Sequence, residues 1–210
     1  MSLEQLRENN KKLVTEKALE CFIENGIEKT KVSDIARRSG LTERSIFRYF
    51  ATKTDIVIAA SFLYWEKAEK YTREALEKER RADLTGIEQI RVILYAYSSL
   101  LLADPRGIRF SLDAEVALYN AGKYHEVVNR PPEKYETYTG PLAQALRVGI
   151  ADGTVDPKAD VKTLYYNSYD SILGMMQRLT VGVPSVTELE TAPRLKAICD
   201  MYVNGFAAKK

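Results

Sequence analysis

The residues whose types and spacing could do chemistry gather between Thr42 and Arg48. Thr42 suits the N-cap of a short helix, and that helix would present Arg44, Ser45 and Arg48 on its outer side. Arginine forks and short hydroxyls are the groups that meet phosphates and base edges of a DNA duplex. A helix start with its cap also suits a phosphate. Just upstream, Val32 to Ser39 has the pattern of a second short helix, stopped at Gly40, where a positive φ costs little without a Cβ. Ala36 is small where the helices must cross, and Ile35, Leu41 and Ile46 would form the core between them. The expectation is a helix-turn-helix whose second helix enters a major groove. The Ala-x3-Gly pattern alone fits two surface helices with an incidental turn equally well.

Charge placement favours the first reading. The chain has 210 residues, with 31 Lys/Arg against 29 Asp/Glu and a net charge of +2. Residues 1–55 carry 11 basic and 9 acidic side chains, so the remainder is neutral. Within residues 28–53 the balance is 7 to 3. The excess therefore lies on the candidate helix-turn-helix, and in a dimer it is presented twice.

Other chemistries find little support. One histidine (His125) and two distant cysteines (Cys21, Cys199) are too few soft ligands for a zinc site. No nucleophile elbow or phosphate-cradling glycine loop is present, so neither catalysis nor a cofactor is expected. The polar N-terminus is unlike a secretory signal. The uncharged run Val92–Ala103 falls short of the roughly 20 residues a membrane span needs. A reducing cytoplasm is the expected compartment.

Around these residues the periodicity is helical nearly throughout, and the fold class is all-α. Val14, Ala18, Cys21 and Phe22 mark one face of a first helix ending at Asn25-Gly26. A long helix begins near Thr54-Asp55, with Thr54 as its cap, and leads to a link at 82–86. Further helices are expected over 87–103, 105–119, 133–151 and 158–179, with a loop or short helix between Gly122 and Pro132. A final helix holds Leu195, Ile198, Met201, Tyr202 and Phe206, with Pro193 in its first turn. A stripe of Ile108, Leu112, Glu115 and Tyr119 is expected on the 105–119 helix.

Residues from about 10 to 57 also resemble a known family. Ala18-Leu19, Phe22, Asn25-Gly26, Lys29 to Ala36, Ser39 to Thr42, Ser45 to Phe50 and Lys53 to Ile56 follow in order the N-terminal domain of TetR-type transcriptional regulators. The resemblance implies a DNA-binding domain over residues 1–53 and a ligand-sensing, dimerising domain over 54–210. It implies DNA contacts from Lys31, Thr42, Arg44, Ser45, Phe47, Arg48, Tyr49 and Lys53. Phe47 stands where the family usually has a phosphate-binding tyrosine; without the hydroxyl it could pack on a thymine methyl instead. Glu43, often a lysine-like residue in relatives, would repel phosphate or accept from a cytosine amine.

The rest of the chain holds 12 of the 13 tyrosines. These could simply fill helix interfaces, or line an aromatic pocket with a few polar groups. The resemblance places an effector pocket there, with Tyr95, Phe110, Glu115, Tyr119, Tyr138, Tyr166, Tyr169 and Met176 as candidates. Glu115, on an apolar face, would meet a cationic ligand or a structural arginine such as Arg109 or Arg147. Asp170 raises the same question. The resemblance also implies a homodimer paired through Leu164, Ser168, Ser171, Met175, Leu195, Ile198, Met201 and Tyr202. The function implied is a sequence-specific repressor, released from a palindromic double-stranded DNA operator by a small-molecule effector. The alternative is a helical protein-binding adaptor that kept the fold and lost DNA binding.

Overall fold

The computed structural model describes residues 2–79, 83–125, 140–181 and 190–209. Among these residues nine named helices account for the regular structure: α1 (Leu3–Asn25), α2 (Val32–Ser39), α3 (Glu43–Phe47), α4 (Lys53–Glu79), α5 (Gly86–Ala103), α6 (Pro105–Asn120), α7 (Pro141–Ala151), α8 (Val161–Thr180) and α9 (Thr191–Phe206). The extended pairing is a single bridge between Val155 and Ala207. None of these helices is long and apolar enough to cross a membrane. The start expected for the 133–151 helix and the Pro131-Pro132 loop boundary lie outside the described residues.

The chain divides into two compact units. One comprises residues 1–66 with 106–130, the other residues 67–105 with 131–210. Contacts thus group the helix-turn-helix with the first half of α4 and with α6.

In the first unit, Val14, Ala18, Leu19, Cys21 and Phe22 form the buried face of α1. α1 packs on α2 and α2 on α3, and Ile35 and Ala36 of α2, Ile46 of α3, and Ile56, Val57 and Ala60 of α4 are buried in the same unit. Each large aliphatic side chain buried here contributes roughly 1.5–3 kcal/mol. Thr30, buried, donates its hydroxyl to the carbonyls of Cys21 (3.2 Å) and Gly26 (2.8 Å), which binds the α1 exit to the α2 entry. Gly40 closes α2 with φ 69°, and the Leu41 amide returns to the Ala36 carbonyl at 3.0 Å.

The cap of α4 is Thr52 rather than Thr54. The Asp55 amide donates to Thr52 Oγ1 at 3.1 Å and the Thr52 amide to Asp55 Oδ2 at 2.8 Å, a reciprocal box that starts the helix one turn before Ile56.

In α6 the buried face is Gly107, Ile108, Phe110, Ser111, Ala114 and Leu118. The expected stripe through Leu112, Glu115 and Tyr119 is therefore rotated. The cause is Phe110, whose ring stacks on Phe22 of α1 (centroids 6.1 Å apart) and meets Tyr64 of α4 edge-on (5.9 Å). Two aromatic partners outweigh one leucine in setting the helix's rotation.

In the second unit α5 packs against α7, α8 and α9. α5 and α7 approach so closely at Gly86 that a Cβ there would overlap the Gly149 backbone. The turn after α7 then caps α5 from outside: the Gly86 amide donates to Asp152 Oδ2 (2.7 Å) and the Ile87 amide to Thr154 Oγ1 (3.1 Å). Burial opposes ionisation of Asp152, but hydrogen bonds from the Thr154 hydroxyl and from the Gly86 and Thr154 amides outweigh it and hold the carboxyl below its ordinary range.

Candidate nucleic-acid interface and effector cavity

Thr42 is the N-cap of α3, and its Oγ1 accepts from the Ser45 amide at 3.1 Å. Ile46 is fully buried, which turns the opposite side of this short helix outward. Arg44, Phe47 and Arg48 are exposed, and Phe47 keeps 47% of its surface in solvent. The Thr42 and Ser45 hydroxyls lie 3.0 Å apart, and the Arg48 guanidinium reaches Ser45 Oγ at 3.5 Å. Arg44 has no ion-pair partner among the described residues. Thr42, Arg44, Phe47 and Arg48 are therefore exposed together on this short segment, with Ser45 half-buried among them.

Three further candidates flank it. Lys31 is exposed at the N-cap of α2, where its amide donates to Asp34 Oδ2 at 3.0 Å. Lys53 opens α4 half-buried, with Nζ 3.5 Å from the Glu28 carbonyl. Burial pushes its ammonium below the ordinary lysine range, with Glu28 partly opposing. A phosphate beside that ammonium would reverse the shift. Tyr49 is half-buried, and its hydroxyl accepts from Asn10 of α1 at 3.0 Å.

The cationic excess is smaller than the sequence sum implies. Arg38 pairs with Glu24 at 2.6 Å and lies 3.9 Å from Glu20, and Arg37 pairs with Asp34 at 2.9 Å. The Arg38 guanidinium holds the Glu24 carboxyl below its ordinary range through that hydrogen bond. These two arginines clamp α2 to α1 and to its own first turn. The cations left for a duplex are Lys29, Lys31, Arg44, Arg48 and Lys53.

The expected effector residues do not form one group. Phe110 and Glu115 of α6 line a cavity of about 120 Å³ with Ser61, Tyr64, Trp65 and Leu118. Arg109, offered as a partner for Glu115, instead pairs with Asp113 at 2.8 Å. Tyr119 is 74% exposed, because the rotation of α6 carries it outward, so it does not line this cavity. Tyr95 belongs to a different place: its hydroxyl donates to Asp200, and Lys196 lies over its ring at 5.4 Å, a tie between α5 and α9. Tyr166 and Tyr169 join Tyr165 and Tyr97 in an edge-to-face cluster with centroids 4.9–5.4 Å apart. Met176 is fully buried, Asp170 is exposed, and Tyr138 lies outside the described residues.

The expected pairing face also needs correction. Ser168 is fully buried and donates to the Tyr165 carbonyl at 2.8 Å, and Leu195 is 2% exposed. Both are inside the protomer, because α8 and α9 bury one stripe each against their own subunit. Met201 is 72% exposed, while Leu164, Met175 and Ile198 are half-buried. Ser171 and Tyr202 hydrogen-bond to each other at 2.6 Å and so link α8 to α9.

Sequence reasoning missed Thr52, Asn10, and the Gly86–Asp152 cap. Thr52 and Asp55 had the capping-box spacing and were legible; the other two join residues far apart in the chain.

Comparison with known proteins converges on one assignment. Residues 14–60 match the family model described as bacterial regulatory proteins, tetR family. The fatty acid metabolism regulator protein of Bacillus subtilis (strain 168) is 27% identical over 196 residues, covering 93% of this chain and 95% of that protein. The solved structure of the transcriptional regulator FadR from Bacillus subtilis in complex with stearoyl-CoA superposes with a TM-score of 0.61 at 21% identity, over 92% of this chain and 98% of that one. The ketosteroid transcriptional regulator KstR2 of Mycobacterium tuberculosis gives 0.56 at 16% identity, over 95% of each chain. These structural likenesses establish a shared fold from end to end. The family match rests on the helix-turn-helix, residues 14–60 of this chain, and the remainder shares the fold of these solved regulators.

Proposed function

We propose that this protein is a homodimeric transcriptional repressor that leaves a palindromic operator when a long-chain acyl-CoA occupies its body. The observation that carries the DNA-binding part is the exposed turn of Arg44, Phe47 and Arg48, held in place by the buried Ile46 and the Thr42 cap. Arg44 reads a base edge, Phe47 packs on a thymine methyl, and Lys31, Tyr49 and Lys53 hold phosphates. The functional division falls at residues 53 and 54, with the reading head before it. Two heads engage half-sites about 34–36 Å apart.

The effector class rests on the fatty acid metabolism regulator and on the stearoyl-CoA complex of a protein with this fold. The cavity beside Phe110 is the entry point for coupling. Its 120 Å³ is below the roughly 300–1,000 Å³ of ordinary ligand pockets. An acyl chain therefore selects a state in which α4 and α6 have moved apart, and it favours that state by its differential affinity. Phe110 touches both that cavity and Phe22 of α1, so the same displacement reaches the helix that supports α2. A coupling of about 1–3 kcal/mol lowers operator affinity about 5–150-fold.

The test is a titration of stearoyl-CoA into the complex of the protein with a duplex it has selected from a random pool. Release of DNA at micromolar stearoyl-CoA, with free coenzyme A inert, is the expected result. Retention of the complex at saturating ligand would refute the effector class. Selection of no duplex at all would favour the adaptor reading.

A further inference from the structure

The hydroxyl of Tyr49 is held by a residue outside the helix-turn-helix. Asn10 sits 39 positions earlier, on α1, and its Nδ2 donates to Tyr49 Oη at 3.0 Å in a half-buried setting. Asn10 contributes nothing to the buried stripe of α1, which is Val14, Ala18, Leu19, Cys21 and Phe22. The backbone beneath Tyr49 is itself fixed: the Tyr49 and Phe50 amides both donate to the Ile46 carbonyl, at 2.8 and 3.0 Å. Phe50 is buried, so the tyrosine ring has its root anchored and its tip governed by one contact.

A phenol hydroxyl has one proton to donate and two lone pairs. When Asn10 donates to it, a lone pair is used and the proton remains available. A donor of that kind matches a phosphate oxygen, which is an acceptor. We infer that Asn10 is a positioning residue for DNA binding: its amide holds the Tyr49 hydroxyl so that the hydroxyl proton is directed at a backbone phosphate. The inference rests on the DNA-binding reading above and adds α1 to the surface that determines operator affinity. Asn10 itself touches no DNA in this assignment. Its effect passes entirely through Tyr49.

Because the contact is made by a neutral donor, removing it releases no counterion. This separates it from the lysine and arginine contacts, each of which changes the slope of log affinity on log salt by about 0.9. The test is a double-mutant cycle with Asn10→Ala and Tyr49→Phe, read as affinity for a duplex that the wild-type chain selects from a random pool, at several salt concentrations. Asn10→Ala and Tyr49→Phe are each expected to weaken binding about three- to tenfold, the worth of one hydrogen bond. The double variant should be no weaker than either single one, and the salt slope should stay at the wild-type value.

Wild-type affinity in Asn10→Ala, or losses that multiply in the double variant, would overturn the inference. Multiplying losses would mean that Asn10 acts on α1 itself rather than through the hydroxyl. A changed salt slope in Asn10→Ala would likewise overturn it. Failure of the wild-type chain to select any duplex is a different outcome: it refutes DNA binding, and the inference falls with it.

Discussion

Gly86→Ala isolates the contact on which the second unit depends. The added Cβ would overlap the Gly149 amide nitrogen and Cα, and would stand 2.8 Å from the Ala145 carbonyl oxygen. All three are backbone atoms of α7, so no side chain can swing away. Restoring ordinary carbon contacts of about 3.5–4.0 Å requires α5 and α7 to part by roughly an ångström or more. Such a shift stretches the Gly86–Asp152 hydrogen bond from 2.7 Å and the Ile87–Thr154 bond from 3.1 Å. Overpacking of this kind costs about 1–3 kcal/mol, and loss of a cap about 1 kcal/mol. Alanine recovers at most about 1 kcal/mol of helix propensity. The net is a loss of about 1–3 kcal/mol. At roughly 2–4 °C per kcal/mol for a chain of this size, the thermal midpoint falls by about 2–12 °C. Differential scanning calorimetry measures it, with Gly205→Ala as the control, since there the nearest atom to a new Cβ is a leucine methyl at an ordinary 3.5 Å. A Gly86→Ala midpoint equal to that of wild type would refute the close-approach argument.

Three other outcomes follow from the same geometry. Lys53→Ala reduces the salt slope of operator binding by about 0.9, whereas Arg44→Ala relaxes preference at one base pair, by about 1–3 kcal/mol; anisotropy titrations across a salt series and a set of single-base operator variants check both, and unchanged affinity removes the residue from the interface. Asp152→Asn narrows its stability gap to wild type in acid. The native carboxyl is depressed, so its contribution is full above the unfolded value of about 3.9 and is lost as pH falls through the lower native value; urea unfolding at pH 7 and pH 3 measures the gap, and an equal gap at both would refute the charge-assisted cap. Met201→Glu leaves the protomer folded, because the side chain is 72% exposed, but breaks the pairing proposed for α8 and α9. Sedimentation velocity should then report a monomer, and a persistent dimer places the interface elsewhere.

Local chemistry was sufficient for the reading head. The α2 bounds, the Gly40 turn and the Thr42 cap are all decided within a dozen residues, by φ preference, capping and one small core, so they could be read directly. The order and type of the later helices were legible for the same reason, since apolar periodicity and proline or glycine stops are local signals. The rotation of α6 was not. Counting apolar positions favoured a stripe through Tyr119, whereas the helix turns to place Phe110 between Phe22 and Tyr64. That preference arises from two rings brought close by folding, and no spacing along one helix encodes it. Two residues of the expected pairing face were misplaced for a related reason: α8 and α9 each carry enough apolar residues for two faces, and only their mutual packing shows that Ser168 and Leu195 serve the inner one. Charge behaved the same way, because a sum over residues 28–53 counts Arg37 and Arg38 as free, and tertiary contact spends both on carboxylates. What the sequence determined by itself was which residues can read DNA and on which helix they ride. Which of them remain available, and what holds them, was decided by contacts between residues tens of positions apart, whose energies exist only once the helices have packed.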